Sequence, residues 1–160
     1  MKRLAIIGSG DLGHLIAYHA KNDSKMEVVG FFDDFHKERS TVHGIPILGK
    51  IQNITESFEN NLFDCLINGV GYKHMSFRKE IFNQFFNVIP FANIIHSSSI
   101  IDPSVKMGSG VFILPGCVLD QNTELGNNTL LNTAVTIAHD SIIGDHCFLS
   151  PRVAIAGKVR

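Results

Sequence analysis

The chain has 160 residues and a formal charge of −1, from 14 Lys and Arg against 15 Asp and Glu, which argues against a protein that tracks a polyphosphate backbone. Hydrophobic residues at 44% with charged residues at 18% fit a folded chain and exclude a disordered one. No apolar run approaches the roughly 18 residues of a membrane span, and the opening MKRLAIIGSGD is too quickly interrupted by Gly and Asp for a signal peptide. Cys65, Cys117 and Cys147 form no CxxC pair, so they are read as buried thiols of a cytoplasmic protein rather than disulfides or zinc ligands.

Residues 2–7 read as a buried strand, and Gly8-Ser9-Gly10-Asp11-Leu12-Gly13 follows directly. An amphipathic helix is predicted over 11–22, and a second strand over 27–33 ends in Asp33-Asp34. Strand, GxGxxG, helix, strand and acid in that order make a phosphate-cradling turn at a helix N-terminus. Beyond them, 44–49 reads as a loop with a short extended segment and 51–60 as a poor helix. A third strand over 65–68 leads into a Gly69-Val70-Gly71 turn. A second clear helix covers 77–87, where Phe82, Phe85 and Phe86 have helical spacing and read as packing, and a fourth strand covers 88–93. Four strands in about 95 residues make half of a dinucleotide-binding fold, sized for a mononucleotide rather than NAD. An NAD-linked oxidoreductase built on the GxGxxG is the competing reading, and the short domain argues against it.

From Ile101 a large aliphatic residue returns every six positions, through Met107, Ile113, Leu119, Leu125, Leu131, Ile137, Ile143 and Leu149 to Ile155. Four positions after each comes a small or β-branched residue, from Val105 through Cys117 and Cys147 to Val159. Neither the helical period of 3.6 nor the strand period of 2 explains this. A period of six with two inward positions describes short strands joined by corners, three hexads to a coil of about 18 residues, with coils stacked about 4.8 Å apart. The fold class is therefore α/β: a small Rossmann-like parallel sheet domain over 1–95, then a parallel β-helix of hexapeptide repeats over 96–160. Residues 18 apart lie above one another. His139 faces outward, with Gln121 one coil below and Gly157 one coil above, and Asp140 faces outward beside it. A glycine over an outward histidine leaves room for a ligand along that face. His146 falls on the next face of the prism. A zinc-dependent carbonic anhydrase needs three histidines per site, and His139 and His146 are out of phase, so no metal is expected.

Together these halves resemble the bacterial sugar acetyltransferases of surface-glycan and sialic acid biosynthesis. The likeness is carried by Ile7-Gly8-Ser9-Gly10, Phe31-Phe32-Asp33-Asp34, residues 44–49, Arg78-Lys79, Asn132-Thr133 and residues 137–145. It implies a left-handed β-helix, a homotrimer with active sites between neighbouring prisms, and acetyl-CoA as cosubstrate. The expected reaction is acetylation of the amino group of a nucleotide-linked amino-deoxy sugar, with sialic acid-type O-acetylation as the alternative. By resemblance, His139 is the general base and Asp140 its acidic neighbour. Gly8, Ser9, Gly10, Asp33 and Asp34 bind the nucleotide sugar. Asn132 lies near the acetyl group, and the Gly157 N–H meets the thioester carbonyl. Phe148 stands where many relatives carry a second histidine that contacts the donor, and Asp11-Leu12 where many carry Gly-His. Relatives continue beyond a position equivalent to Arg160, so a truncated chain with an incomplete donor site, or a non-catalytic trimeric scaffold, is a further expectation. The specific sugar and nucleotide do not follow from the residues.

Overall fold

The computed structural model describes residues 1–38 and 40–160 and divides into two compact units, Met1–Ala92 and Asn93–Arg160. In the first, β1 (Arg3–Ile7) is buried from Leu4 to Ile7, as expected of a strand covered on both faces. Helix α1 (Asp11–Asn22) places Asp11 in its first turn and Lys21 in its last, each sign matched to the helix dipole. It leads to β2 (Glu27–Phe32), which pairs with β1 in parallel.

The short extended segment read within the 44–49 loop is a full sheet member. Strands β3 (Thr41–Val42) and β4 (Ile45–Gly49) form a hairpin, and β4 extends the sheet alongside β2. Its two-residue turn has positive φ at both His43 (49°) and Gly44 (77°), the pattern of a type I′ turn. A histidine in place of the usual Asn or Asp hid that turn.

Helix α2 (Ile54–Glu59) is short, and β5 (Cys65–Asn68) pairs with the free edge of β1. Helix α3 (Met75–Phe85) starts two residues before its predicted onset. The expected fourth strand over 88–93 does not form. The N–H groups of Val88 and Ile89 turn back to the Phe85 carbonyl, and Pro90 has no N–H to offer a ladder. What remains is a single bridge between Phe91 and Leu66. The sheet order is β3-β4-β2-β1-β5. Phe32, Phe63, Leu66, Phe82 and Phe85 pack in its main core, while Phe86 stacks on Phe82 from a more exposed position.

The second unit is a left-handed parallel β-helix. Its two-residue strands are β6 (Ile94–Ile95), β7 (Ile100–Ile101), β8 (Lys106–Met107), β9 (Phe112–Ile113), β10 (Val118–Leu119), β11 (Glu124–Leu125), β12 (Leu130–Leu131), β13 (Thr136–Ile137), β14 (Ile142–Ile143), β15 (Phe148–Leu149) and β16 (Ala154–Ile155). Partners are 18 residues apart, as in Val118 with Thr136. Three parallel sheets result, in the orders β16-β13-β10-β7, β14-β11-β8 and β15-β12-β9-β6. The coil begins one hexad before Ile101, because Ile95 already holds the aliphatic position. Val111, Ile113, Cys117, Leu119, Leu125, Leu131, Val135 and Ile137 fill the prism. The inward hydroxyls are satisfied too: Ser141 Oγ donates to the Ala156 carbonyl at 2.8 Å and Thr129 Oγ1 to that of Gly144 at 3.1 Å.

The corners carry a feature that the hydrophobic pattern did not disclose. At every sixth residue from Gly110 to Lys158 φ is positive, and seven of these are not glycine: Asn122, Asn128, Ala134, Asp140, His146, Arg152 and Lys158. An L-residue in this region costs about 1–2 kcal/mol. The coil below helps offset the cost, since the N–H of Asp140 reaches the Gln121 carbonyl at 3.0 Å and that of Lys158 reaches the His139 carbonyl at 3.0 Å.

Candidate active site

Three loops leave the carboxyl ends of β1, β2 and β5 on the same side of the first unit's sheet, the usual place for a ligand in an open α/β sheet. They enclose a cavity of about 630 Å³ lined by Gly8, Ser9, Gly10, Asp33, Asp34 and Gly69, among others. All five residues expected at the nucleotide sugar therefore line one cavity.

The glycines of the turn have separate jobs. Gly8 has φ of 89° and lies against the Gly69 backbone. A Cβ at Gly13 would sit 2.0 Å from the Gly8 carbonyl oxygen, so α1 can approach β1 only without a side chain there. A Cβ at Gly10 would meet nothing within 4 Å.

The two aspartates also differ. Asp33 is 8% exposed, and its Oδ2 accepts from Ser9 N (2.8 Å) and Ser9 Oγ (2.7 Å) while Oδ1 accepts from Phe35 N (2.8 Å). Burial alone would raise this carboxyl. The hydrogen bonds from Ser9 and Phe35, with His36 nearby, hold it below the usual aspartate range. Asp33 thus ties the glycine turn to the end of β2. Asp34 is exposed and uses Oδ1 to accept from Ile51 N at 2.9 Å.

Sequence reasoning missed several lining residues: Phe35, His36, His74 and Phe77. Phe35 is 97% exposed at the cavity, and its position directly after Asp33-Asp34 was the available signal. It also missed how the third loop is held. Arg78, 2% exposed, donates to the carbonyls of Asn68 (2.7 Å) and Val70 (2.9 Å), and Asn68 Nδ2 donates back to the Arg78 carbonyl (2.8 Å). Burial lowers the guanidinium pKa to about 10.

In the second unit, His139 and Asp140 occupy the corner between β13 and β14. His139 Nδ1 lies 2.8 Å from Asp140 Oδ2. Hydrogen bonds from His139 and then from Asn122 hold the Asp140 carboxyl below its ordinary value. An ionised carboxylate can only accept, so whenever the imidazole is neutral this contact puts its proton on Nδ1 and leaves the lone pair on Nε2. A Cβ on Gly157 would lie 2.8 Å from that Nε2 and 3.0 Å from Cε1, so the ring can lie against the coil above only because residue 157 is glycine.

Asn132 and Phe148 lie elsewhere in the unit. Asn132 follows β12 and its Oδ1 accepts from Thr133 N at 2.8 Å, while Phe148 is in β15, in register with Leu130 of the same sheet. His146 holds the corner between β14 and β15, with Nδ1 3.0 Å from Asn128 Nδ2. The cysteines are not poised as nucleophiles. Burial raises all three, Cys65 to about 11. Among the described residues no group of three His, Cys, Asp or Glu is placed to hold a metal, and no helix is long and apolar enough to cross a membrane.

Residues 3–85, more than half of the chain, match the PglD N-terminal domain family. The chain belongs to that family. Its architecture is shared with solved sugar acetyltransferases. The GDP-perosamine N-acetyltransferase of Caulobacter crescentus, solved as a histidine-to-alanine mutant with CoA and GDP-perosamine, superposes with a TM-score of 0.88 at 23% identity, over 98% of this chain and 72% of that one. The acetyltransferase domain of PglB from Neisseria gonorrhoeae FA1090, in complex with acetyl coenzyme A, gives 0.85 at 25% identity, over 98% and 74%. WeeI from Acinetobacter baumannii AYE gives 0.80 at 17% identity, over 97% and 72%. A stretch of 51 residues is 45% identical to the acyl-carrier-protein–UDP-N-acetylglucosamine O-acyltransferase of Pseudomonas fluorescens (strain Pf0-1), covering 31% of this chain. The chain spans about a fifth (20%) of the length of that curated relative.

Proposed function

We propose that the protein transfers an acetyl group from acetyl-CoA to the amino group of a nucleotide-linked amino-deoxy sugar, with His139 as general base. The observation that carries this reading is the His139 corner. Its Nδ1 is held by Asp140, and its ring lies against Gly157, where any side chain would displace it. The unprotonated Nε2 takes the proton of the amine as nitrogen attacks the thioester carbonyl. The C–S bond breaks, an amide forms and CoA leaves as the thiolate. Asp140 stabilises the imidazolium formed in that step, and the Gly157 N–H donates to the developing oxyanion. Asn132 and Phe148 are assigned to the donor. The sugar's nucleotide is assigned to the cavity of the first unit, where the glycine turn receives phosphate, Asp34 receives ribose or base donors, and Asp33 holds the turn in place.

The 51-residue match to an O-acyltransferase favours one second reading, transfer to a sugar hydroxyl. The same His139 chemistry serves either acceptor. The test is turnover of acetyl-CoA with matched GDP- and UDP-linked sugars that carry an amine or a hydroxyl at one carbon. The amino sugar is expected to react, and His139→Ala to lower kcat by about 100-fold or more with the fold intact by circular dichroism. Turnover of His139→Ala near that of the unaltered protein overturns the assignment, and preference for the hydroxyl sugar favours the second reading.

A further inference from the structure

Asp140 has a second attachment. While Oδ2 meets His139, Oδ1 accepts from Asn122 Nδ2 at 3.0 Å, from one coil below. Asn122 is itself fixed, since its backbone N–H donates to Ser104 Oγ at 2.8 Å, and Ser104 Oγ donates to Asp102 Oδ1 at 2.6 Å. A polar column thus climbs through three coils and ends on the histidine.

We infer that Asn122 is a positioning residue, which through Asp140 sets the ring orientation and tautomer of His139. The argument is geometric. Asp140 and His139 are both about two-fifths exposed, at 41% and 44% of their side chains. A carboxylate with that freedom, held by one exposed partner, exchanges it readily for water. A second, directional donor on the other oxygen fixes the carboxylate plane, and with it the lone pair that meets Nδ1. In water the neutral imidazole is free to carry its proton on either nitrogen. The doubly held carboxylate selects Nδ1–H and leaves Nε2 as the basic atom. Lys158, in the coil above, adds positive charge to the same carboxylate. It supplies attraction without direction, so it does not replace the asparagine.

The column could instead be ordinary corner packing. Asn128 meets His146 in a similar way one corner away. The distinction is that only the Asn122 column passes through Asp140 to His139, so the two columns make a matched pair for experiment. The state of His139 is claimed independently of the reaction, and only the catalytic meaning of that state rests on the proposed acetyl transfer.

The test is Asn122→Gly, which keeps the positive φ at no steric cost, read by long-range proton–nitrogen correlation of the His139 ring at about pH 8, where an ordinary imidazole is neutral. The unaltered protein is expected to give the Nδ1–H pattern, and Asn122→Gly a mixture with the Nε2–H form. The Asp140 carboxyl should move up toward its ordinary value in the same variant, and Asn128→Gly should leave both signals unchanged. Asn122→Ala also removes the donor, and Ala134 shows that such a corner accepts alanine, so it gives the same answer if the glycine variant does not fold. With the amino sugar as substrate, kcat should fall about tenfold in Asn122→Gly while KM stays within about twofold. An unchanged Nδ1–H pattern in folded variants overturns the inference whatever the kinetics. Absence of turnover in the unaltered protein counts against acetyl transfer and leaves the tautomer result standing.

Discussion

Asp33 shows how a side chain expected at a ligand can also hold the loops around it. As a residue in the pattern Phe-Phe-Asp-Asp after a second strand, it reads as an acceptor for ribose or base. In the structure its carboxylate accepts three hydrogen bonds from Ser9 and Phe35. None of these bonds is visible in the sequence, because those from Ser9 depend on β1 and β2 ending side by side. The consequence is a pH dependence with a definite sign. A folded-state carboxyl held below its unfolded value contributes stability that is fully present above the unfolded pKa, near 3.9, and is lost as pH falls through the folded value. Urea titrations between about pH 6 and pH 3 should therefore show a loss of stability on acidification that is smaller in Asp33→Asn. An equal acid loss in that variant would place the sensitivity elsewhere.

At the level of elements, the parts with strong periodicity were legible. The strand–GxGxxG–helix unit and the six-residue repeat each impose a burial pattern that few other folds share. The parts that failed depend on single residues acting against type. His43 sits in a type I′ turn, and Pro90 removes the donor a fourth strand needed. The left-handed corners were half visible, as Gly110, Gly116, Asn122 and Asn128 at spacing six. Ala134, Arg152 and Lys158 then obscured the series, because these residues enter that conformation only where the backbone of the coil below holds them. Close approach of α1 to β1 gives a second test. A methyl group at position 13 meets the Gly8 carbonyl at 2.0 Å, so Gly13→Ala should cost about 1–3 kcal/mol or more, read as a lower midpoint in thermal melting. Gly10→Ala meets nothing within 4 Å and should cost only the loss of a favourable N-cap residue, about 1 kcal/mol, so its midpoint should fall less than that of Gly13→Ala.

For the whole molecule, the proposed reading expects a homotrimer assembled through the prism. Light scattering coupled to size exclusion should then return three times the chain mass of 17.6 kDa, independent of whether substrates are present. A monomer mass at micromolar concentration would remove the setting in which a second copy supplies part of the site. Within one copy, Asn132 and Phe148 belong to the β15-β12-β9-β6 sheet and its corner, while His139 belongs to the corner after β13. On the proposed roles, assembly is the simplest way for Asn132 and Phe148 to serve one reaction with His139.

The eighteen-residue ladder also sets a rule for how such a chain can change length. Loss of six residues between Gly116 and Asp140 leaves every aliphatic position pointing inward, so the core pattern survives. It nevertheless puts Asp140 over Gly116, which has no side-chain amide to offer, in place of Asn122. Loss of eighteen puts Asp140 over Ser104, a hydroxyl from its original column. Insertions and deletions in this half are therefore counted in two currencies at once: sixes for folding, and eighteens for keeping the histidine in company.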